Sequence, residues 1–243
     1  MKAMLLAAGI GARLKPLTDQ KPKALVEVGG MTLLERAIRH VARYGAEEII
    51  LNVHHFAGQI EQYLEERGNF GVKIALSDER DRLLDTGGGL KKAAWFFEGG
   101  APFLVYNTDV LTDLDLGALY RSHLASGQLA TLAIRSRPSS RCLLFDADKK
   151  LVGWRNRQTG QTRWCGTENA EAAEYAFSGI QVFDPHIFSY FPEEEVFSLV
   201  ELYLRAGASG KVSGYLHDQS IWMDAGKFED LGEAEEIAKR LPR

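Results

Sequence analysis

Through its first 110 residues the chain alternates short apolar runs with segments of helical period, and that alternation limits the folds open to it more than any other feature. The opening apolar run ends in a glycine-rich turn at Gly9 and Gly11. Residues 48–53 (EIILNV), 72–76 and 102–106 (PFLVY) are further strand-like runs. Between them, Thr32 opens a capping-box pattern (TLLE), and Leu33, Leu34, Ala37, Ile38, Val41 and Ala42 recur on one helical face. Residues 56–67 read as a second helix closed by Gly68, and Leu90, Ala93, Ala94 and Phe97 mark a third helical face, after a turn at Gly87, Gly88 and Gly89. Strands and helices in this order predict right-handed crossovers and an α/β fold whose mostly parallel, doubly wound sheet is covered on both faces. Ligands of such sheets sit beyond the carboxyl ends of the strands, where both glycine turns and Asp109 fall.

The second half changes character. Residues 129–135 read as a strand, and 142–145 with 151–154 read as a hairpin around Asp146. Residues 155–166 read as a polar loop, 175–183 (YAFSGIQVF) as a strand, 196–206 as a helix, and the chain closes in a helix from Phe228. No linker rich in Pro, Gly or Ser divides the chain, which predicts a single domain over 1–243 with a decorated second half.

Charge and cysteine usage exclude several classes. A formal charge of −4 argues against general nucleic-acid binding, which needs a basic surplus. Cys142 and Cys165 fit no metal-ligand spacing and are expected as free thiols of a reducing, cytoplasmic compartment. Residues 4–12 are apolar after Lys2, but the run is short for a signal core and leads into a cationic loop; no other stretch approaches the length of a spanning helix, so no membrane association is expected.

The segment from Leu5 to Lys23, LLAAGIGARLKPLTDQKPK, points to anion binding: a strand places the turn, glycines let a ligand approach the backbone, and Arg13, Lys15, Lys21 and Lys23 follow. It is not a dinucleotide fingerprint, because Leu14 stands where the third glycine is needed, and no Gly-Lys-Ser or Gly-Lys-Thr follows to make a Walker A loop. The run from Leu6 through Leu14, then Pro16-Leu17-Thr18 and Lys21-Pro22-Lys23, resembles the signature of the sugar-1-phosphate nucleotidylyltransferases. The resemblance continues in order. Asp85-Thr86-Gly87-Gly88-Gly89 is similar to the family's second glycine turn, and Asn107-Thr108-Asp109 to its metal-binding Gly-Asp, with Thr108 in place of glycine. Phe177-Ser178-Gly179-Ile180 is similar to the strand that holds the sugar. Trp222-Met223-Asp224-Ala225-Gly226 resembles the strand with the second metal-binding aspartate, with Lys227 where many members have Ser or Thr. Residues 135–174 match no motif.

The resemblance implies a Rossmann-like fold of the nucleotide-diphospho-sugar transferase type, with a nucleotide-binding half over 1–128 and a sugar-binding half over 129–243. It implies Leu6, Ala7, Ala8, Gly9, Gly11, Arg13, Lys23, Thr86, Gly87 and Gly88 around the nucleotide, Asn107, Gly179 and Asp224 around the sugar, and Mg²⁺ on Asp109 and Asp224. Attack of a phosphate oxygen on the α-phosphorus needs no protein nucleophile; it needs charge neutralisation and alignment. Arg13 offers a fork of donors for the departing pyrophosphate, Lys23 a point charge for the reacting phosphates, and two carboxylates suit Mg²⁺, making Arg13, Lys23 and Asp109 the catalytic set. A lone Asp after a strand is more often a helix cap, glycine clusters usually mark turns, and His54 and His55 lack partner ligands and read as structural. Lys15 and Lys21 are read as solvated.

Among short members, the pattern most resembles the N-acetylmuramate-1-phosphate uridylyltransferases, so UTP and N-acetylmuramate 1-phosphate are the expected substrates, in cell-wall recycling. Mannose- and heptose-1-phosphate guanylyltransferases, using GTP, share much of it, and a nucleotide-sensing homologue without catalysis is a further alternative. The sequence runs only a short way past the Trp222 motif, so the hexapeptide repeats of bifunctional relatives are not expected. Members of the family are often homodimers, so the resemblance makes a homodimer the assembly to expect.

Overall fold

A computed structural model describes residues 1–242. The chain forms two compact units. The first comprises residues 1–83, 105–116 and the C-terminal stretch from Ser220. Its strands Lys2–Leu6, Glu48–Val53 and Lys73–Asp78 pair parallel, with Lys2 opposite Glu48 and Glu48 opposite Lys73. The strand Phe103–Asn107, whose last three residues belong here, adjoins Lys2–Leu6. Ala3, Met4, Leu5, Ile49, Ile50 and Leu51 are all fully buried, as strands covered on both faces require. The helices Leu33–Arg43 and Ala57–Glu66 form the crossovers.

The capping box is half made. Thr32 Oγ1 accepts the Glu35 amide at 3.0 Å, but the Glu35 carboxylate turns away to Arg39 and to the Tyr63 hydroxyl, both at 2.8 Å. Far along the chain, Trp222–Asp224 pairs antiparallel with Val110–Thr112, placing Asp224 opposite Val110, and the Ala225 amide donates to the Asp109 carbonyl at 2.9 Å. This small ladder brings two aspartates separated by nearly half of the chain to adjoining positions.

The second unit comprises residues 84–104 and 117–219. Its long strand Ala173–Phe183 pairs antiparallel with Arg141–Phe145 near its start and with Ala130–Arg135 further on; Leu151–Asn156 and Thr162–Trp164 extend the sheet beyond Arg141–Phe145, and Val212–Leu216 adds parallel to Ala130–Arg135. Phe97 stacks on Phe103 with ring centroids 3.8 Å apart, and Phe183 and Phe188 close around Phe103. The expected hairpin and most later strands form, and the polar loop expected over 155–166 holds the strand Thr162–Trp164.

One element departs in kind from the sequence expectation. Asp85–Lys92 is a helix, so Gly87, Gly88 and Gly89 lie inside it rather than in a turn. The reason is contact: a Cβ on Gly87 would strike the Phe197 ring, and one on Gly88 the Glu195 carbonyl. The segment before the helix Leu199–Gly207 lies so close that only glycine fits beneath it. Among the described residues no helix is long and apolar enough to cross a membrane.

Candidate active site

The site builds up from the end of the first strand. Asn52, buried at the end of its own strand, accepts the Ala7 amide at 2.8 Å and the Ala8 amide at 3.4 Å through Oδ1, and its Nδ2 donates to the buried Glu79 carboxylate at 2.8 Å. The entrance to the first glycine turn is therefore pinned from the neighbouring strand, and the Ala7 amide is already engaged. Gly11 sits at φ 70°, and a Cβ there would lie 2.9 Å from Thr18 Cγ2 and 3.0 Å from Lys23 Cβ. Thr18, buried, closes the loop with a hydroxyl bond of 2.9 Å to the Gly11 carbonyl. Gly9 is exposed and meets nothing at the position of a side chain.

Arg13, Lys23, Asp109 and Asp224 converge in this unit. Lys23 Nζ pairs with Asp109 Oδ2, with both side chains largely enclosed. The meeting point is Gly226: a Cβ built there would lie 2.5 Å from Asp224 Oδ1, 3.0 Å from Lys23 Nζ and 3.3 Å from Arg13 Nη2. Burial pushes the Asp224 carboxyl above the ordinary carboxylate range, and the negative charge of Asp109 pushes it further; Lys23, Arg13 and the Gly226 amide act in the opposite sense. Asp224 Oδ1 is buried with no hydrogen-bond donor in ordinary geometry. Two neighbouring carboxylates with an unsatisfied buried oxygen fit a hard divalent cation that prefers oxygen ligands. Among the described residues no third His, Cys, Asp or Glu completes a protein cage, so a cation held here would take its remaining ligands from phosphate or water.

Thr108, where the family pattern has glycine, is buried; its hydroxyl donates to the Leu6 carbonyl at 2.9 Å and its amide to the same oxygen at 3.3 Å. The substituent thus fastens the strand end that carries Asn107 and Asp109 to the strand end that carries the first turn. Lys227 lies at the surface between Glu229 and Asp230, at 3.4 and 3.8 Å, and Lys15 pairs with Asp19 at 3.0 Å with both side chains about half exposed or more. Cys142 and Cys165 are free thiols, and His54 Nδ1 lies 2.7 Å from the Glu79 carbonyl, a structural contact.

The remaining expected residues lie in the second unit. The Gly87 and Gly88 amides donate to the Phe197 carbonyl at 2.9 and 3.1 Å, the Thr86 amide to its neighbour Asp85 at 2.6 Å, and the Thr86 hydroxyl accepts the Leu199 amide at 3.0 Å. Gly179, at φ 77°, sits in a break of register between Phe177 and Gln181, a bulge in the long strand. His217 Nε2 meets the Ser178 hydroxyl at 2.8 Å, and Arg137 Nη2 donates to the Phe177 carbonyl at 3.1 Å, so the bulge is held from two sides.

Sequence reasoning passed over Asn52, Glu79, Thr18, Gly226, His217 and Arg137. Asn52 is legible only as a polar residue in an apolar strand, and Thr18 and Gly226 only as members of the Pro16-Leu17-Thr18 and Trp222 motifs; the others carry no local signal.

Comparison with known proteins identifies the family. Residues 2–142 match the Nucleotidyl transferase family. The chain is 33% identical over 240 residues to the N-acetylmuramate alpha-1-phosphate uridylyltransferase of Neisseria meningitidis serogroup B, covering 98% of each chain. It is 32% identical over 232 residues to the protein of the same name from Caulobacter vibrioides, covering 92% of this chain and 91% of the other. A UDP-glucose pyrophosphorylase structure from Acinetobacter baumanii shares the fold with a TM-score of 0.78 at 20% identity, over 96% of this chain and 91% of that one. With more than half its length matched by the family and a relative 33% identical from end to end, the chain belongs to the Nucleotidyl transferase family, among the sugar-1-phosphate nucleotidylyltransferases.

Proposed function

We propose that the protein transfers a uridylyl group from UTP to N-acetylmuramate 1-phosphate with release of pyrophosphate, a reaction of cytoplasmic cell-wall recycling. The observation that carries the reaction class is the convergence of Arg13, Lys23 and Asp224 within 3.3 Å of one point at Gly226, with Lys23 on Asp109. Full-length similarity to two uridylyltransferases supports the choice of substrates. An oxygen of the sugar phosphate attacks the α-phosphorus, and the bond from that phosphorus to the bridging oxygen of pyrophosphate breaks. Arg13 receives the charge that grows on the leaving group. Lys23 aligns and neutralises the two reacting phosphates, moving from its ion pair with Asp109 as they enter. Asp109 and Asp224 would hold Mg²⁺, which would neutralise charge on the phosphates.

Leu6, Ala7, Ala8, Gly9 and Gly11 wrap the triphosphate in this reading. Thr86, Gly87 and Gly88 are given no contact to base and ribose in this reading, since their amides are already engaged and both glycines are buried against residues 195–197. Asn107, Gly179 and Asp224 take the sugar, which assigns nucleotide recognition mainly to residues 1–128 and sugar recognition mainly to 129–243.

The test is a matrix of UTP and GTP against N-acetylmuramate 1-phosphate and mannose 1-phosphate, scored by pyrophosphate release with and without Mg²⁺. Turnover is expected with UTP and N-acetylmuramate 1-phosphate in the presence of Mg²⁺. Faster turnover of GTP with mannose 1-phosphate would replace the substrates named here, and silence in every well from a folded protein that binds UTP would remove the catalytic reading.

A further inference from the structure

Residues 231–241 place Leu231, Ala234, Ala238 and Leu241 at helical spacing, and the helix Leu231–Arg240 turns Ala234 and Ala238 inward. Ala234, Ala238 and Leu241 join one buried apolar cluster. Other members of that cluster are neighbours of the charged groups: Leu14 follows Arg13, Met223 and Ala225 flank Asp224, and Leu111 lies two residues after Asp109. Val26, also in the cluster, donates its amide to the Lys23 carbonyl at 3.0 Å. One apolar cluster therefore backs the segments that carry Arg13, Lys23, Asp109 and Asp224, and the last helix closes it. All of these residues lie in the first unit.

The same helix grips a turn. Between the paired strands Glu27–Val28 and Met31–Thr32, Gly29 sits at φ 61°, and its amide donates to Glu235 Oε2 at 2.7 Å. Arg36 donates to the Val28 carbonyl at 2.8 Å and to the Gly29 carbonyl at 3.3 Å. A Cβ on Gly29 would lie 2.7 Å from Ala238 Cβ, so the turn rests directly against the helix with no room for a larger residue. Val28, five residues after Lys23, is fully buried in the cluster. The segment from Lys23 to Gly29 is thus tied to Asp109 at one end and to Glu235 and Ala238 at the other. Charged groups from separate segments assist a reaction only while their spacing is held to about 0.5 Å, and the packing behind them sets that spacing.

We infer that the helix Leu231–Arg240 is a positioning element for the transfer reaction, with Glu235 and Ala238 as positioning residues that fix Lys23 through the turn at Gly29. The inference rests on the roles proposed above for Arg13, Lys23, Asp109 and Asp224. Glu235 and Ala238 act through the turn and are assigned no contact with substrate.

Glu235→Ala removes the acceptor for the Gly29 amide, and Ala238→Val inserts two methyl groups where the turn meets the helix. The assay is single-turnover transfer from UTP to N-acetylmuramate 1-phosphate with enzyme in excess, because an unfolded fraction does not alter that rate constant. It should fall about fivefold in Glu235→Ala and about tenfold in Ala238→Val, part of the roughly hundredfold that a misplacement of about 1 Å costs. KM for UTP should stay within about twofold, since a loss of alignment is felt in the transition state rather than in ground-state binding. Glu235→Gln keeps an acceptor oxygen and should recover the rate. The control is Glu236→Ala, on the exposed side of the same helix, where Glu236 pairs with Lys239 at 2.6 Å. Rate constants within about twofold of that control in both Glu235→Ala and Ala238→Val would overturn the positioning role while leaving uridylyl transfer in place. So would a Glu235→Gln variant as slow as Glu235→Ala. If Ala238→Val does not fold, Glu235→Ala decides alone. No turnover by the folded, unaltered protein would overturn both this inference and the catalytic reading beneath it.

Discussion

Replacing Gly226 by alanine tests whether Arg13, Lys23 and Asp224, the proposed catalytic groups, act together at that residue. The new methyl would stand 2.5 Å from Asp224 Oδ1, about 1 Å inside an ordinary carbon–oxygen contact, with Lys23 Nζ at 3.0 Å and Arg13 Nη2 at 3.3 Å behind it. Gly226 does not occupy the left-handed region, so alanine adds no backbone strain and the effect is one of space. The long Arg13 and Lys23 side chains can swing aside, but Asp224 is short and its backbone is paired with Val110. Its carboxylate must therefore rotate or shift by about 1 Å, a displacement that costs on the order of a hundredfold in rate when it falls on aligned reacting groups. That is about 2.7 kcal/mol of transition-state stabilisation. The assay is single-turnover pyrophosphate release at saturating substrates, with urea unfolding to show that the variant is folded. Gly232→Ala is the control, because a Cβ there meets nothing and the residue lies in the C-terminal helix Leu231–Arg240. If Gly226→Ala turns over within threefold of the Gly232→Ala control, the convergence has no catalytic meaning.

Other perturbations follow from single contacts. Asp109→Asn should abolish turnover while the protein still folds, at a stability cost of about 1–3 kcal/mol because the enclosed Lys23 ammonium loses its counter-charge; retained activity would refute the assignment. Asn52→Ala strips the Ala7 amide and the Glu79 carboxylate of a buried partner, and should cost about 1–3 kcal/mol in urea unfolding and raise KM for the nucleoside triphosphate more than it lowers kcat. His40 is pushed down to about 4, first by burial, while the Leu114 carbonyl at 3.1 Å works the other way. It stays neutral in the folded chain while the unfolded chain takes up a proton near pH 6.5, so stability falls as pH drops from about 6.5 toward 4. The loss between pH 7.5 and 5 should be about 2 kcal/mol, and His40→Gln should remove that slope; an unchanged slope would discount the buried neutral histidine.

Much of the first unit was legible because its determinants are local. An apolar run that ends in Gly9 and Gly11 reads as strand and turn without knowledge of the rest, Thr32 announces its helix, and the order of motifs along the chain carried the family resemblance. What the sequence determined by itself was therefore the parallel core and the reaction class, and it also singled out Arg13, Lys23, Asp109 and Asp224 as the candidates for the site. Tertiary structure decided what depends on partners distant in sequence. It brought Asp224 beside Asp109 through the pairing with Val110, placed Asn52 under the first turn, and turned the threonine at 108 from an oddity into a staple on Leu6. It also drew Gly87 and Gly88 into a helix, because Glu195 and Phe197, a hundred residues on, leave no room for a side chain and supply a carbonyl for the amides. Glycine reads locally as freedom to turn; only the neighbour packed against it shows that the need was for space, and such neighbours leave no trace in adjacent sequence.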